Sequence, residues 1–234
     1  MTINLLKNRS KFLYLAVFVV LGFVLLQFPV NNLAGTRAKL TFFDMFYPVS
    51  GAFLGSIWGM AAVGLMQVAN LAFHGFDGVK ATSLLAFLAT VRLLPMITGV
   101  AVFSKPDKRL LTLPLLAIIA FLANPVGREA WYFTLLWVIP FAVWPFRERF
   151  LAARSLASTF SSHSVGGAIW VWAFPTTAAF WTGLVPVVIL ERSIFALGIS
   201  ASFILMTNIL GYLSAKNLLP KGVTLAKKYL IVKK

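Results

Sequence analysis

The residues of this chain that could do chemistry are few, and most lie within apolar surroundings. Arg92 stands about halfway along the apolar stretch Thr82–Phe103, at a depth from which a guanidinium reaches water only with difficulty. There it either pairs with a carboxylate or backbone carbonyls, or contacts an anionic ligand. Asp44 is flanked by Phe42, Phe43, Met45, Phe46 and Tyr47. Its carboxylate either caps the start of a helix, the commoner role, or meets a ligand. Glu191 and Arg192 either satisfy each other or send one partner to Arg92 or Asp44. A buried charge pair is weak evidence of activity.

Gln67, Asn70 and His74 follow at i, i+3 and i+7, which puts them within about 60° of one another on a helix. Such a stripe either hydrogen-bonds a neighbouring helix or faces a wet pocket. His163 opens the run His163-Ser164-Val165-Gly166-Gly167, ahead of Trp170 and Trp172. Tyr47, Trp170, Trp172 and Trp181 are candidate aromatic walls of a pocket that carries a few polar groups. The ligand-binding candidates are therefore Asp44, Gln67, Asn70, His74, Arg92, His163, Trp170 and Glu191.

Several chemistries lack their residues. No H-E-x-x-H, P-loop or G-x-S-x-G occurs, and 6 acidic residues form no paired-carboxylate motif. With 2 histidines far apart and no cysteine, neither a metal site nor a thiol nucleophile is expected. No catalytic residue and no cofactor is assigned. An intramembrane enzyme using His163 and Glu191 is the weakest reading. The net charge of +15 sits in short clusters between apolar stretches, a distribution that disfavours nucleic acid as a partner.

The elements that must position these residues are apolar. Of the 234 residues, 60% are hydrophobic, and the mean hydropathy is +0.89. Apolar stretches at Phe12–Val30, Phe42–Phe73, Thr82–Phe103, Leu110–Asn124, Ala130–Phe146, Phe150–Phe174, Thr176–Leu190 and Ile194–Leu213 approach the roughly 20 residues that span a bilayer. They predict an all-α, polytopic transmembrane bundle of six to eight membrane segments. Residues 1–213 would form one transmembrane domain, and 214–234 a basic cytoplasmic tail on anionic lipid. Tyr14, Tyr47, Trp131, Tyr132, Trp144, Trp181 and Tyr212 sit near stretch ends, where interfacial anchors occur.

Charge fixes the topology. If Phe42–Phe73 crossed once, most of the 21 cations would fall on the outer side. If it turns back as a helical hairpin or broken helix, and Thr176–Leu190 does not cross fully, only Arg37, Lys39, Lys80 and Arg128 lie outside. Both termini are then cytoplasmic, in what is expected to be a prokaryotic plasma membrane. Pro48, Gly51, Gly55 and Gly59 fall in this segment. The GxxxGxxxG spacing suits either tight helix packing or a discontinuous element lining a cavity.

The run Phe43-Asp44-Met45-Phe46-Tyr47-Pro48 through Gly51, Gly55 and Gly59 resembles a segment of energy-coupling factor (ECF) transporter S components. Gly183-Leu184-Val185-Pro186 to Glu191-Arg192, with the apolar helix and basic tail that follow, is similar to their C-terminal region. The likeness covers about a third of the chain. The first stretch carries Ala16 and Val20 where that family has a small-residue docking motif, A-x-x-x-A. The resemblance implies a helical bundle that binds a vitamin-like nutrient near the outer face. Such a subunit docks on a transmembrane coupling subunit driven by ATPases, and Asp44, Gln67, Asn70 and Arg92 would line its pocket. The alternative is a non-transporting membrane scaffold that packs on a partner helix through Gly51, Gly55 and Gly59. Because the chain has no cysteine, Lys108→Cys and Arg149→Cys variants test the topology cleanly. An impermeant thiol reagent should leave both unlabelled in intact cells and label both after permeabilisation.

Overall fold

In a computed structural model, which describes residues 5–32, 39–75, 82–104, 106–216 and 227–231, the chain is built almost wholly of helices. In chain order they are α1 (Leu5–Leu26), α2 (Phe43–Leu54), α3 (Ser56–His74), α4 (Leu84–Val91), α5 (Leu93–Ser104) and α6 (Thr112–Ala123). α7 (Pro125–Glu129), α8 (Ile139–Val143), α9 (Leu151–Ala173) and α10 (Ala178–Ala215) follow. α8 is flanked by 3-10 turns at Trp131–Val138 and Trp144–Phe146. One element departs from the all-α expectation: β1 (Pro29–Asn32) and β2 (Lys39–Thr41) pair antiparallel, with Asn31 opposite Leu40.

α2 and α3 form the expected glycine-rich hairpin. The chain reverses at Gly55, whose φ of 84° an L side chain rarely adopts. Beyond the turn Gly59 lies on Gly51: a Cβ on Gly59 would stand 2.6 Å from the Gly51 Cα. Gly51 in turn meets Val100 and Ser104 of α5. The glycine spacing therefore does not form one helix face. Gly51 and Gly59 face each other across the hairpin, and Gly55 is an exposed turn residue instead of a packing contact.

α9 is the central helix, packed by α4, α5, α6, α8 and α10. Its buried positions are mostly small and polar, among them Ser155, Ser158, Ser161, Ser162 and Ser164. Ser158 donates to the Gly99 carbonyl at 2.7 Å, and Ser155 meets Ser200 at 2.9 Å. Large apolar side chains instead stand outside, such as Ile57 and Val68 of α3, Leu116 and Ile119 of α6, and Leu197 and Leu205 of α10. Small polar contacts within and apolar side chains without are what helices packed in lipid require, and water would penalise so much exposed apolar surface. Two cores result. One joins α1, α2, α3 and α5 to the second half of α10; the other joins α6 and the Trp131–Trp137 segment to α9 and the first half of α10.

Among the described residues, two helices, α3 and α10, are long and apolar enough to cross a membrane, or three spans if bent α4–α5 counts as one. That is fewer than the six to eight segments expected. Apolar length in the sequence is cut by backbone breaks at Gly55 and Arg92, and the Leu110–Asn124 and Ala130–Phe146 stretches form shorter helices. In the opposite sense, Thr176–Leu190 and Ile194–Leu213 merge into α10, 38 residues long with Pro186 inside it. At about 57 Å this helix is nearly twice the thickness of a ~30 Å bilayer core. Of the expected interfacial anchors, Trp131 and Tyr212 are exposed, whereas Tyr47, Trp144 and Trp181 are buried. The expected tail is partly docked: Asn208 accepts from the Ile231 N–H and donates to the Tyr229 carbonyl. Gly59→Ala should destabilise the protein by about 1–3 kcal/mol through overpacking. Gly64→Ala, where a Cβ meets nothing within 4 Å, should be neutral or slightly stabilising in thermal unfolding in detergent.

Candidate functional site

The α4–α5 pair bends by 48° at Arg92. Arg92 closes α4 in the left-handed conformation, φ 59° and ψ 17°, and its N–H bonds the Leu88 carbonyl at 3.2 Å. Among the described residues it is the one non-glycine residue with positive φ. That conformation costs about 1–2 kcal/mol for an L residue and persists where the surroundings enforce it. The side chain of the same residue is anchored: Arg92 Nη1 donates to Asp44 Oδ1 at 2.9 Å, between side chains only 14% and 7% exposed. The other carboxylate oxygen accepts from the Thr41 N–H at 2.7 Å. Asp44 thus ties the strand β2, the first turn of α2 and the α4–α5 break together.

Around this ion pair lies a cavity of about 120 Å³. Asp44 and Tyr47 come from α2, Leu40 from β2, and Ala89, Arg92, Pro95 and Met96 from α4–α5. From α9 come Ser162, His163, Gly166, Gly167 and Trp170, a stripe at helical spacing. Phe180, Trp181, Leu184 and Arg192 of α10 complete the wall. Trp181 and Arg192 are separated by about 16 Å along the helix, so the cavity is elongated. Tyr47 Oη and Ser162 Oγ share a hydrogen bond of 2.9 Å across it. His163 is held from behind: its Nδ1 accepts from Trp137 Nε1 at 3.0 Å, which leaves Nε2 to carry the proton of the neutral ring. Gly167 makes room for that indole, since a Cβ there would stand 2.5 Å from the Trp137 ring.

Arg192 is the second guanidinium in the wall. Its Nη2 donates to Glu191 Oε2 at 2.6 Å, and its charge lies 4.5 Å from the centre of the Phe195 ring. Its Nε is buried without a hydrogen-bond partner.

The structure gathers Asp44, Arg92, His163 and Trp170 at this cavity and leaves other sequence candidates off its wall. Gln67 is buried behind it, where Nε2 donates to Met96 Sδ at 2.8 Å and reaches the Val91 carbonyl at 3.4 Å. It supports the α4–α5 break instead of facing the cavity. Asn70 is half-buried one turn farther along α3 and off the wall, and the His74 side chain lies outside the described residues. Glu191 reaches the site only through Arg192. Trp172 faces the other way and donates to the Ala120 carbonyl at 2.9 Å. Ser162, Phe180 and Arg192 were missed as lining residues. Arg192 had a legible signal: with Trp181, Val188, Phe195 and Ile199 it forms one buried helical stripe. Among the described residues no group of histidines and acids could hold a metal ion.

No protein-family model, curated protein or solved structure matches this chain.

Removing the Asp44 carboxylate should leave Arg92 buried and unmatched, at a cost of about 3–5 kcal/mol. In a double-mutant cycle, Asp44→Ala with Arg92→Ala should cost clearly less than the two single changes summed. Denaturant or thermal unfolding of all four proteins measures the coupling.

Proposed function

We propose that this chain is the membrane-embedded substrate-binding subunit of a small-molecule transporter, similar in role to ECF S components and without catalysis of its own. The observation that carries the reading is the cavity: aromatic walls, two guanidiniums and one carboxylate, converging from helices far apart in sequence. A mostly apolar pocket with a few placed polar groups is the usual form of a ligand site.

The placement of the cavity supports capture from outside. Arg147 Nη2 and Arg154 Nε donate to the Val102 and Phe103 carbonyls, and Lys228 Nζ donates to the Arg149 carbonyl. These cations gather at one end of the bundle, near the start of α9 and the end of α5. The cavity wall uses the start of α2, the start of α10 and the last turns of α9, the opposite end. With cations inside, as the positive-inside rule favours, both termini are cytoplasmic and the cavity lies in the outer half of a prokaryotic plasma membrane. In this reading the bilayer is the solvent, and a transmembrane coupling subunit with ATPases is the partner that would drive release.

The scaffold alternative loses its motif. Gly51 and Gly59 are spent on each other and on α5, so no GxxxGxxxG face remains for a partner helix. Native mass spectrometry of the purified protein should reveal a co-purifying small molecule. Arg92→Ala should lose it, and the exposed-site change Lys108→Ala should keep it. Stoichiometric protein partners without any small molecule would instead favour the scaffold.

A further inference from the structure

The charges of the cavity cancel. Asp44 is matched by Arg92, and Arg192 by Glu191 behind it, so the wall carries no net charge. An anion or a cation brought in alone would be desolvated beside pairs that are already complete, and an uncharged molecule escapes that cost. The cavity therefore favours a neutral occupant.

One polar group of the wall is left open, and it is neutral too. His163 Nδ1 accepts from Trp137 Nε1, so the ring carries its one proton on Nε2. Nε2 has no hydrogen-bond partner among the described residues, and it is not sealed off as Arg192 Nε is. Trp137 and Phe133, on which the imidazole rests, are not wall residues, whereas His163 lines the cavity. The edge bearing Nε2–H is thus the edge turned to the cavity, and it calls for an acceptor. Beside it, the Tyr47 and Ser162 hydroxyls share one bond between two protons and so keep one proton to donate. A carbonyl oxygen, with two lone pairs, suits such donors.

Aromatic surface within reach of His163 describes the rest of the ligand. Trp170 stands two turns away along α9, about 10 Å. The Phe133 ring centre lies 5.9 Å from the imidazole and 4.9 Å from the Trp181 ring, so Trp181 is no farther from His163 than those two steps combined. A hydrogen bond of ~3 Å at one end and a ring contact of ~4 Å at the other leave the length of one small ring between them. The volume of about 120 Å³ is of the order of the ~150 Å³ cavity known to accept benzene, which sets the same limit.

We infer that the cavity takes a small uncharged carbonyl compound built on a single flat ring, with its carbonyl oxygen on His163 Nε2–H and its ring against Trp170 and Trp181. This rests on the binding-subunit reading and names its substrate class.

The test is titration of the detergent-solubilised full chain with benzamide, benzoate and benzylamine, by calorimetry and tryptophan emission. Benzamide should bind saturably and at least tenfold more tightly than either charged probe. His163→Phe should weaken benzamide about tenfold, and His163→Gln, which keeps an N–H donor, should restore most of the affinity. The wild-type protein gives an independent readout, because it has only two histidines, His74 and His163. In nitrogen-15 spectra of histidine-labelled protein, benzamide should shift the Nε2 signal that is absent from His163→Gln. Benzoate or benzylamine binding as tightly as benzamide would overturn the neutral assignment and leave the binding-subunit reading standing. Benzamide binding without that Nε2 shift would overturn His163 as the contact, whether or not the variants fold. If none of the three binds, the inference fails, and the broader reading is decided separately by whether a small molecule co-purifies.

Discussion

A guanidinium deep among apolar helices has to be matched, and the match between Arg92 and Asp44 organises much of the surrounding geometry. The ion pair is made by the residue whose left-handed conformation separates α4 from α5. The bend lets Pro95 and Met96 enter the cavity wall, while Gln67 of α3 braces the broken backbone from behind. The same carboxylate receives the Thr41 N–H and so fixes where the β1–β2 ribbon meets α2. Strain at one residue, a buried charge pair and a cavity coincide, the combination expected where structure is kept for function.

The rest of the bundle follows from the solvent that its surface fits. Small hydroxyl side chains on α9 let neighbouring helices approach closely and satisfy one another, while leucine, isoleucine and valine side chains cover the outside. In water this order would be reversed. Within such a bundle, a wall bearing two guanidiniums, a carboxylate and an imidazole stands apart chemically from its surroundings. Each of these groups would cost several kcal/mol in hydrocarbon, so their shared location argues for an occupant that uses them.

The sequence made some of this legible. Depth within an apolar stretch singled out Arg92, the glycines and charge distribution pointed to the reversal near Gly55, and isolated polarity marked Asp44 and His163. Hydropathy could not distinguish a straight span from one that turns back, so it overcounted the membrane segments. Thr176–Leu190 and Ile194–Leu213 read as separate stretches, yet α10 joins them and runs through Pro186, as membrane helices can when the freed carbonyl is satisfied locally. For Glu191 and Arg192 the sequence left local pairing and a longer reach both open, and in the structure they pair with each other. Gln67 lies at the spacing of a polar stripe, and only the path of α4–α5 shows that it braces a wall it does not line. Pairing between distant positions, such as Asp44 with Arg92, is a property of topology that no local pattern encodes.

The central claim is a ligand cavity open to the outer face, and Gly166 reports on it directly. This position lines the cavity, and a Cβ there would meet only Pro95, at 3.4 Å, so a cysteine is accommodated. In intact cells an impermeant thiol reagent should label Gly166→Cys from outside, and the co-purified small molecule should slow that labelling. Labelling that requires permeabilisation of the cells would contradict the account.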